Sequence, residues 1–171
     1  MISVLSIVHD TMVDGPGFRT SIYCAGCPNH CPECHNPQSW DINHGTMTST
    51  EEIMKEIMDD PFANVTFSGG DPMFQAEGFA ELARAIRAQS DKDIWCFTGY
   101  KYENLLKNSK QLELLKLIDV LVDGPFMKDL RDEDLFFRGS SNQRLINVKK
   151  SLETGKVIEL HLTKENPIPE L

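Results

Sequence analysis

Cys27, Cys31 and Cys34 fall in one short stretch, Cys27-Pro-Asn-His-Cys31-Pro-Glu-Cys34, spaced C-x3-C-x2-C. Three thiolates at this spacing can hold three irons of a [4Fe–4S] cluster, one ligand short of the four cysteines that normally close such a cluster. An open position separates a metal site that does chemistry from one that only supports structure. An open iron invites chelation by the amino and carboxylate groups of S-adenosylmethionine. One electron from the cluster would then split the sulfonium, with the protein supplying the cage and the cofactors the difficult chemistry.

A fourth cysteine, Cys24, extends the pattern to C-x2-C-x3-C-x2-C. Four clustered cysteines also suit a closed tetrahedral zinc or a fully ligated electron-transfer cluster. Cys24, however, ends Phe18-Arg-Thr-Ser-Ile-Tyr-Cys24, whose alternation reads as a strand with Thr20, Ile22 and Cys24 on one face. On that reading Cys24 is a small buried hydrophobe and not a ligand. Cys96, within Ile94-Trp-Cys-Phe97, reads the same way. Further along, Ser68-Gly-Gly-Asp-Pro72 follows a strand-like Asn64-Val-Thr-Phe67. Adjacent glycines let backbone approach a ligand closely, and Asp71 can accept hydrogen bonds from an ammonium group. Gly, Asp and Pro also make ordinary turns, so this segment gains meaning only beside the cysteines.

C-x3-C-x2-C followed by Gly-Gly-Asp-Pro resembles the radical S-adenosylmethionine enzymes. Val13-Asp-Gly-Pro-Gly-Phe-Arg19 before the loop, with Cys34-His-Asn-Pro37 and Trp40 after it, is similar to the activases that install glycyl radicals. Lys92-Asp-Ile-Trp-Cys-Phe-Thr-Gly-Tyr100, Val120-Leu-Val-Asp-Gly124 and Arg138-Gly-Ser-Ser-Asn-Gln143 resemble one branch, the anaerobic ribonucleoside-triphosphate reductase-activating proteins. Glu33 stands where many members of the superfamily carry an aromatic residue.

The resemblance implies an oxidoreductase with a [4Fe–4S] cluster on Cys27, Cys31 and Cys34. It would cleave S-adenosylmethionine to methionine and a 5′-deoxyadenosyl radical. That radical would take a hydrogen from a glycine of the large anaerobic reductase subunit. A reduced flavodoxin-type donor would supply the electron. The resemblance further implies that Glu33, Cys34 and His35 line the cofactor, that Asn36 meets its adenosine portion, and that Gly69, Gly70 and Asp71 meet its methionine amino group. Thr98 and Arg138 are candidates for ribose or carboxylate contact, or for structural roles. Asp14, Gly15, Gly17 and Arg19 either shape the approach to the cluster or partner, or form a plain turn. Two other readings stand beside this one: activation of another glycyl-radical enzyme such as pyruvate formate-lyase, and a non-enzymatic iron–sulfur or zinc module.

These residues need elements to hold them. Strand-like runs at Val4–Val8, Thr20–Tyr23, Val65–Phe67, Ile94–Phe97, Val120–Val122 and Lys156–His161 alternate with helical patterns. Thr48-x-x-Glu51 reads as a capping box opening a helix to about Asp59, with Ile53, Met54, Ile57 and Met58 as its core face. Phe79, Leu82, Ala83 and Ile86 mark a second helix, and roughly Tyr102–Leu117 a third. This alternation predicts an α/β fold with a mostly parallel sheet, whose ligands gather at the carboxyl ends of the strands. The resemblance implies a compact partial (β/α) barrel of the radical S-adenosylmethionine type. Pro125–Gln143 shows no period and reads as a long loop, which its phenylalanines mark for cofactor or partner contact over disorder.

At 171 residues the chain suits a single domain. Its 40% hydrophobic and 25% charged content is ordinary for a globular protein. A net charge of −9 argues against nucleic acid as the main partner. No apolar run approaches a membrane span and no export signal stands out, so the clustered cysteines favour metal over disulfides and a cytoplasmic location.

Overall fold

The computed structural model describes residues 1–28, 37–163, 165 and 167–171. Cys31, Glu33, Cys34, His35 and Asn36 lie outside the described residues. In chain order the elements are β1 (Ile2–Thr11), β2 (Arg19–Cys24), β3 (Thr46–Thr48), α1 (Thr50–Asp59), β4 (Asn64–Gly69), α2 (Ala76–Gln89), β5 (Ile94–Phe97), α3 (Tyr102–Leu105), α4 (Ser109–Leu115), β6 (Val120–Asp123), β7 (Arg144–Asn147) and α5 (Val148–Thr154). They form a seven-stranded sheet in the order β3-β1-β2-β4-β5-β6-β7. Strands β2, β4, β5 and β6 pair in parallel, while β1 and β7 flank them antiparallel and β3 pairs antiparallel to β1. Two strands therefore oppose the rest, and the mostly parallel sheet stays open between β3 and β7. This is the mostly parallel α/β sheet that the alternating pattern predicts, and, being open, it is consistent with the partial barrel that the resemblance implies.

Strand alternation divides the side chains between two faces. Ile22, Cys24, Val65, Phe67, Ile94, Cys96, Leu121 and Ile146 pack with Ile53 and Ile57 of α1, Phe79, Leu82 and Ile86 of α2, and Leu114 of α4. The opposite face carries Trp95, Val120, Val122 and Leu145, packed by Phe137, Leu160 and Leu162. Register extends that face to Arg19, Ser21 and Tyr23, because Ser21 pairs with Thr66 and Thr66 with Trp95.

Four expectations need correction. The capping box lies one residue later, with Ser49 and Glu52 exchanging the two bonds, so α1 starts at Thr50. Its core face omits Met58, which is 40% exposed. The predicted third helix is two short ones, because the Asn108 side chain accepts from the Lys110 and Gln111 amides and so starts a new helix. Lys156–His161 is not a strand; it bonds to Leu145 and Asn147 of β7, but it makes only an isolated bridge. β7 itself, four residues long, carries too short a pattern to be read in advance.

Candidate metal centre

The carboxyl ends of β2 and β4 lie side by side, Cys24 paired with Gly69, and β5 follows with Phe67 paired to Cys96. Cys27 is half-buried, three residues beyond the end of β2. Its amide donates to Trp40 O at 3.1 Å, and the Gly26 amide donates to Ser39 O at 2.6 Å. The segment returning from the cysteine loop thus clamps the segment leaving for it. Sequence reasoning placed Trp40 in a motif and missed Ser39, because both act through backbone carbonyls that no side-chain pattern reveals.

Gly69 and Gly70 are where the sequence puts them, but their missing Cβ atoms serve the protein itself. A Cβ on Gly69 would stand 2.4 Å from Cys24 N, and Gly69 has φ +105°, a conformation that favours glycine. A Cβ on Gly70 would stand 2.5 Å from Gly26 O. The Gly70 amide donates to Cys24 O at 2.7 Å and the Asp71 amide to Gly26 O at 2.8 Å. The close approach expected of a ligand is therefore made by the base of the cysteine loop.

Asp71 is fully buried. Its Oδ1 accepts from the Met73 amide at 3.0 Å and the Thr98 hydroxyl at 2.8 Å, and its Oδ2 from the Gly99 amide at 2.9 Å. The carboxylate ties the ends of β4 and β5 together, and Thr98 has its structural role here. The same hydroxyl accepts from the Tyr100 amide at 3.1 Å. Arg138 belongs to the long loop: its Nη1 donates to Gln143 O at 3.0 Å, while its buried Nε has no partner. Gln143 closes that loop at its base, accepting from the Gly139 amide at 2.8 Å and donating to Gly124 O at 3.0 Å. Phe137 packs edge-on against Trp95 with ring centroids 5.3 Å apart.

Cys24 and Cys96 lie in the helix-covered core and form no disulfide. Burial, with the nearby Asp71 charge behind it, pushes both thiols well above their ordinary range. The donor set therefore fits a three-thiolate cluster: Cys24 is spent as a buried core side chain, and the loop retains three cysteines.

Arg19 is not at the mouth of the site. It begins β2, about 16 Å along the strand from Cys24 at the usual rise per residue, and its side chain is wholly buried. Its Nε donates to Thr66 Oγ1 at 2.8 Å, its Nη2 donates to Val65 O at 2.8 Å and pairs with Asp93, and its guanidinium lies 5.6 Å from the Trp95 ring centroid. Burial pushes its pKa down and Asp93 opposes the shift. Arg19→Met should destabilise the protein by about 2–4 kcal/mol in urea unfolding, because it orphans Asp93 and the Val65 carbonyl. Arg19→Lys should recover little, since a point charge cannot reproduce the fork. Asp14, by contrast, faces upward along the same sheet face, accepting from the Tyr23 phenol and from Ser21 Oγ at 3.0 Å. That bond and burial push the Tyr23 phenol up, so it stays protonated.

Residues 13–146 match the family described as a 4Fe-4S single cluster domain. The anaerobic ribonucleoside-triphosphate reductase-activating protein of Escherichia coli K12 is 39% identical over 140 residues, covering 77% of this chain and 90% of that protein. The protein of the same name from Enterobacteria phage T4 is 37% identical over 139 residues, covering 78% and 86%. That from Haemophilus influenzae is 34% identical over 140 residues, covering 77% and 89%. With a rim built around the first cysteine of the loop and relatives of this closeness along most of its length, the chain belongs to the family of anaerobic ribonucleoside-triphosphate reductase-activating proteins.

Proposed function

We propose that this chain, acting as a single domain, activates an anaerobic ribonucleoside-triphosphate reductase by generating a glycyl radical on its large subunit. The observation that carries this is the bonding of Cys24 and Gly26, which lead into Cys27, to the Gly69-Gly70-Asp71 turn on one rim of an open sheet, in a chain of this family. Cys27, Cys31 and Cys34 would hold the [4Fe–4S] cluster. When bound and reduced, the cluster supplies the electron that splits S-adenosylmethionine into methionine and the 5′-deoxyadenosyl radical that takes the glycine hydrogen.

The protein's own contribution is placement. Gly26, Ser39, Trp40 and Gly70 lock the chain that leads into and out of the loop. Such fixation is a large part of what an enzyme adds to reactive groups. Asp71 and Thr98 hold the neighbouring strand ends at the same height. Gly69, Gly70 and Asp71, with Glu33, Cys34, His35 and Asn36, would receive the cofactor, and Thr98 and Arg138 with its loop would meet cofactor or partner. The open edge between β3 and β7 leaves a side through which a partner's loop can reach the rim. A reduced flavodoxin-type protein is the proposed electron donor and the cytoplasm the proposed location. Among the described residues no helix is long and apolar enough to cross a membrane, and the charge of −9 supports a protein partner over nucleic acid.

The test is anaerobic reconstitution with iron, sulfide, S-adenosylmethionine and a reductant. 5′-Deoxyadenosine should form, and electron paramagnetic resonance should show a glycyl radical on the reductase after mixing. A cluster-replete sample that leaves the cofactor intact, or one that radicalises pyruvate formate-lyase and not the reductase, overturns the assignment.

A further inference from the structure

Gln75 sits at the residue before α2, where Ser, Thr, Asp or Asn commonly cap the helix with their side chains. Its side chain makes no such cap bond. It reaches instead to two distant strands. Gln75 Oε1 accepts from the Ser3 amide at 2.8 Å, and Nε2 donates to Ser3 O at 3.1 Å and to Ala25 O at 2.8 Å. Both Nε2 hydrogens are thus in use, one on β1 and one on the chain that leaves β2. The Ala25 amide returns a bond to Ser3 O at 3.0 Å. The carboxamide therefore stands in for an extra strand residue, placed where the β1–β2 ladder stops at Val4 and Cys24.

From Ala25 to Cys27, five consecutive backbone polar groups are bound. Ala25 N meets Ser3 O, Gly26 N meets Ser39 O, Asp71 N meets Gly26 O, and Cys27 N meets Trp40 O. The fifth group, Ala25 O, is bound by the Gln75 side chain. It is the one bond of the five that a point substitution can remove without altering backbone. We infer that Gln75 is a positioning residue for the metal centre: by bracketing Ser3 and Ala25 it fixes the direction in which the chain leaves β2 for Cys27. This rests on the functional reading above and adds a residue to it that no cysteine or glycine motif contains.

Two variants separate the components. Gln75→Glu keeps the size and the acceptor for the Ser3 amide but loses both donors, leaving a carboxylate against two carbonyls. Gln75→Ala removes everything. Arg84→Gln, on an exposed face of the same helix, serves as the control. In the apoprotein, amide exchange at Ala25, Gly26 and Cys27 should quicken about tenfold in both Gln75 variants, the loss of one buried bond's worth of local protection. Exchange in β4 and β5 should match the parent, as should the Arg84→Gln control throughout. In reconstituted protein, the change that S-adenosylmethionine produces in the reduced cluster's paramagnetic spectrum should broaden or shift in the Gln75 variants at temperatures far below unfolding.

Unchanged exchange at Ala25–Cys27, or exchange raised uniformly across the sheet, overturns the inference by making Gln75 irrelevant or merely structural. So does a cofactor-dependent spectrum identical to the parent's. If the parent's own cluster ignores S-adenosylmethionine, the functional reading fails, and the exchange data alone uphold or overturn the brace.

Discussion

Cys27→Ala is expected to abolish cluster binding and with it all 5′-deoxyadenosine formation, while Cys24→Ala keeps both. The contrast follows from where the two thiols sit. Cys27 is half-buried on the rim, beyond the last β2 residue. Cys24 is fully buried among Ile22, Phe67 and the helices, packed as a core side chain. Removing one of three ligands leaves two, too few to hold a cluster that tolerates only one open corner. Removing Cys24 deletes a buried sulfur and should cost about 1–2 kcal/mol of stability through lost transfer energy and a small cavity. Iron and sulfide content per chain, the visible absorbance of the cluster and a urea titration of each variant settle the point. Equal iron loss in both variants would favour a closed four-cysteine site.

Gly69→Ala should be the most damaging conservative change outside the cysteines. Two costs add. The residue has φ +105°, where an L side chain is disfavoured by about 1–2 kcal/mol. Its Cβ would also come within 2.4 Å of Cys24 N and 2.6 Å of Cys24 O. Those atoms are backbone in a paired strand and cannot swing aside as a flexible side chain would, so overpacking of about 1–3 kcal/mol follows. A total of about 2–5 kcal/mol is a large share of the stability of a small protein. Gly70→Ala carries the clash with Gly26 O at 2.5 Å without the positive φ. It should lose less stability but loosen the base of the cysteine loop directly. Thermal unfolding of both apoproteins, alongside iron retention, gives the order; a Gly69→Ala protein as stable as the parent would show that the rim yields more easily than its geometry implies.

Elements with strong local signals were legible in the sequence. The α2 face of Phe79, Leu82, Ala83 and Ile86 is buried as its spacing predicts, and the Cys24 and Cys96 core positions follow from strand alternation. The family's motifs located the rim residues, though not what each side chain does there. Asp71 also ties strand ends together, accepting from Met73, Thr98 and Gly99, and none of those pairings has a local signature. For Arg19 the motif leaves open a place at the approach to the cluster or a plain turn into a strand, and the structure places it, buried, at the start of β2. β7 and the split between α3 and α4 escaped because four-residue strands and single-asparagine helix starts fall below what periodicity resolves.

The seat of the cysteine loop draws on residues far apart in the chain. Ser3 and Gln75 are separated by 72 positions, and Asp71 and Thr98 by 27. During synthesis the cysteines therefore emerge well before the strand ends that will cradle them, and long-range closures of this kind form late and together. Until the Gly70–Asp71 turn and Gln75 have been made and docked, the chain leaving β2 lacks the bonds that fix its direction. Cluster assembly would accordingly have to follow the docking of these segments, and a ribosome-bound fragment ending before Gln75 would lack the brace at Ala25.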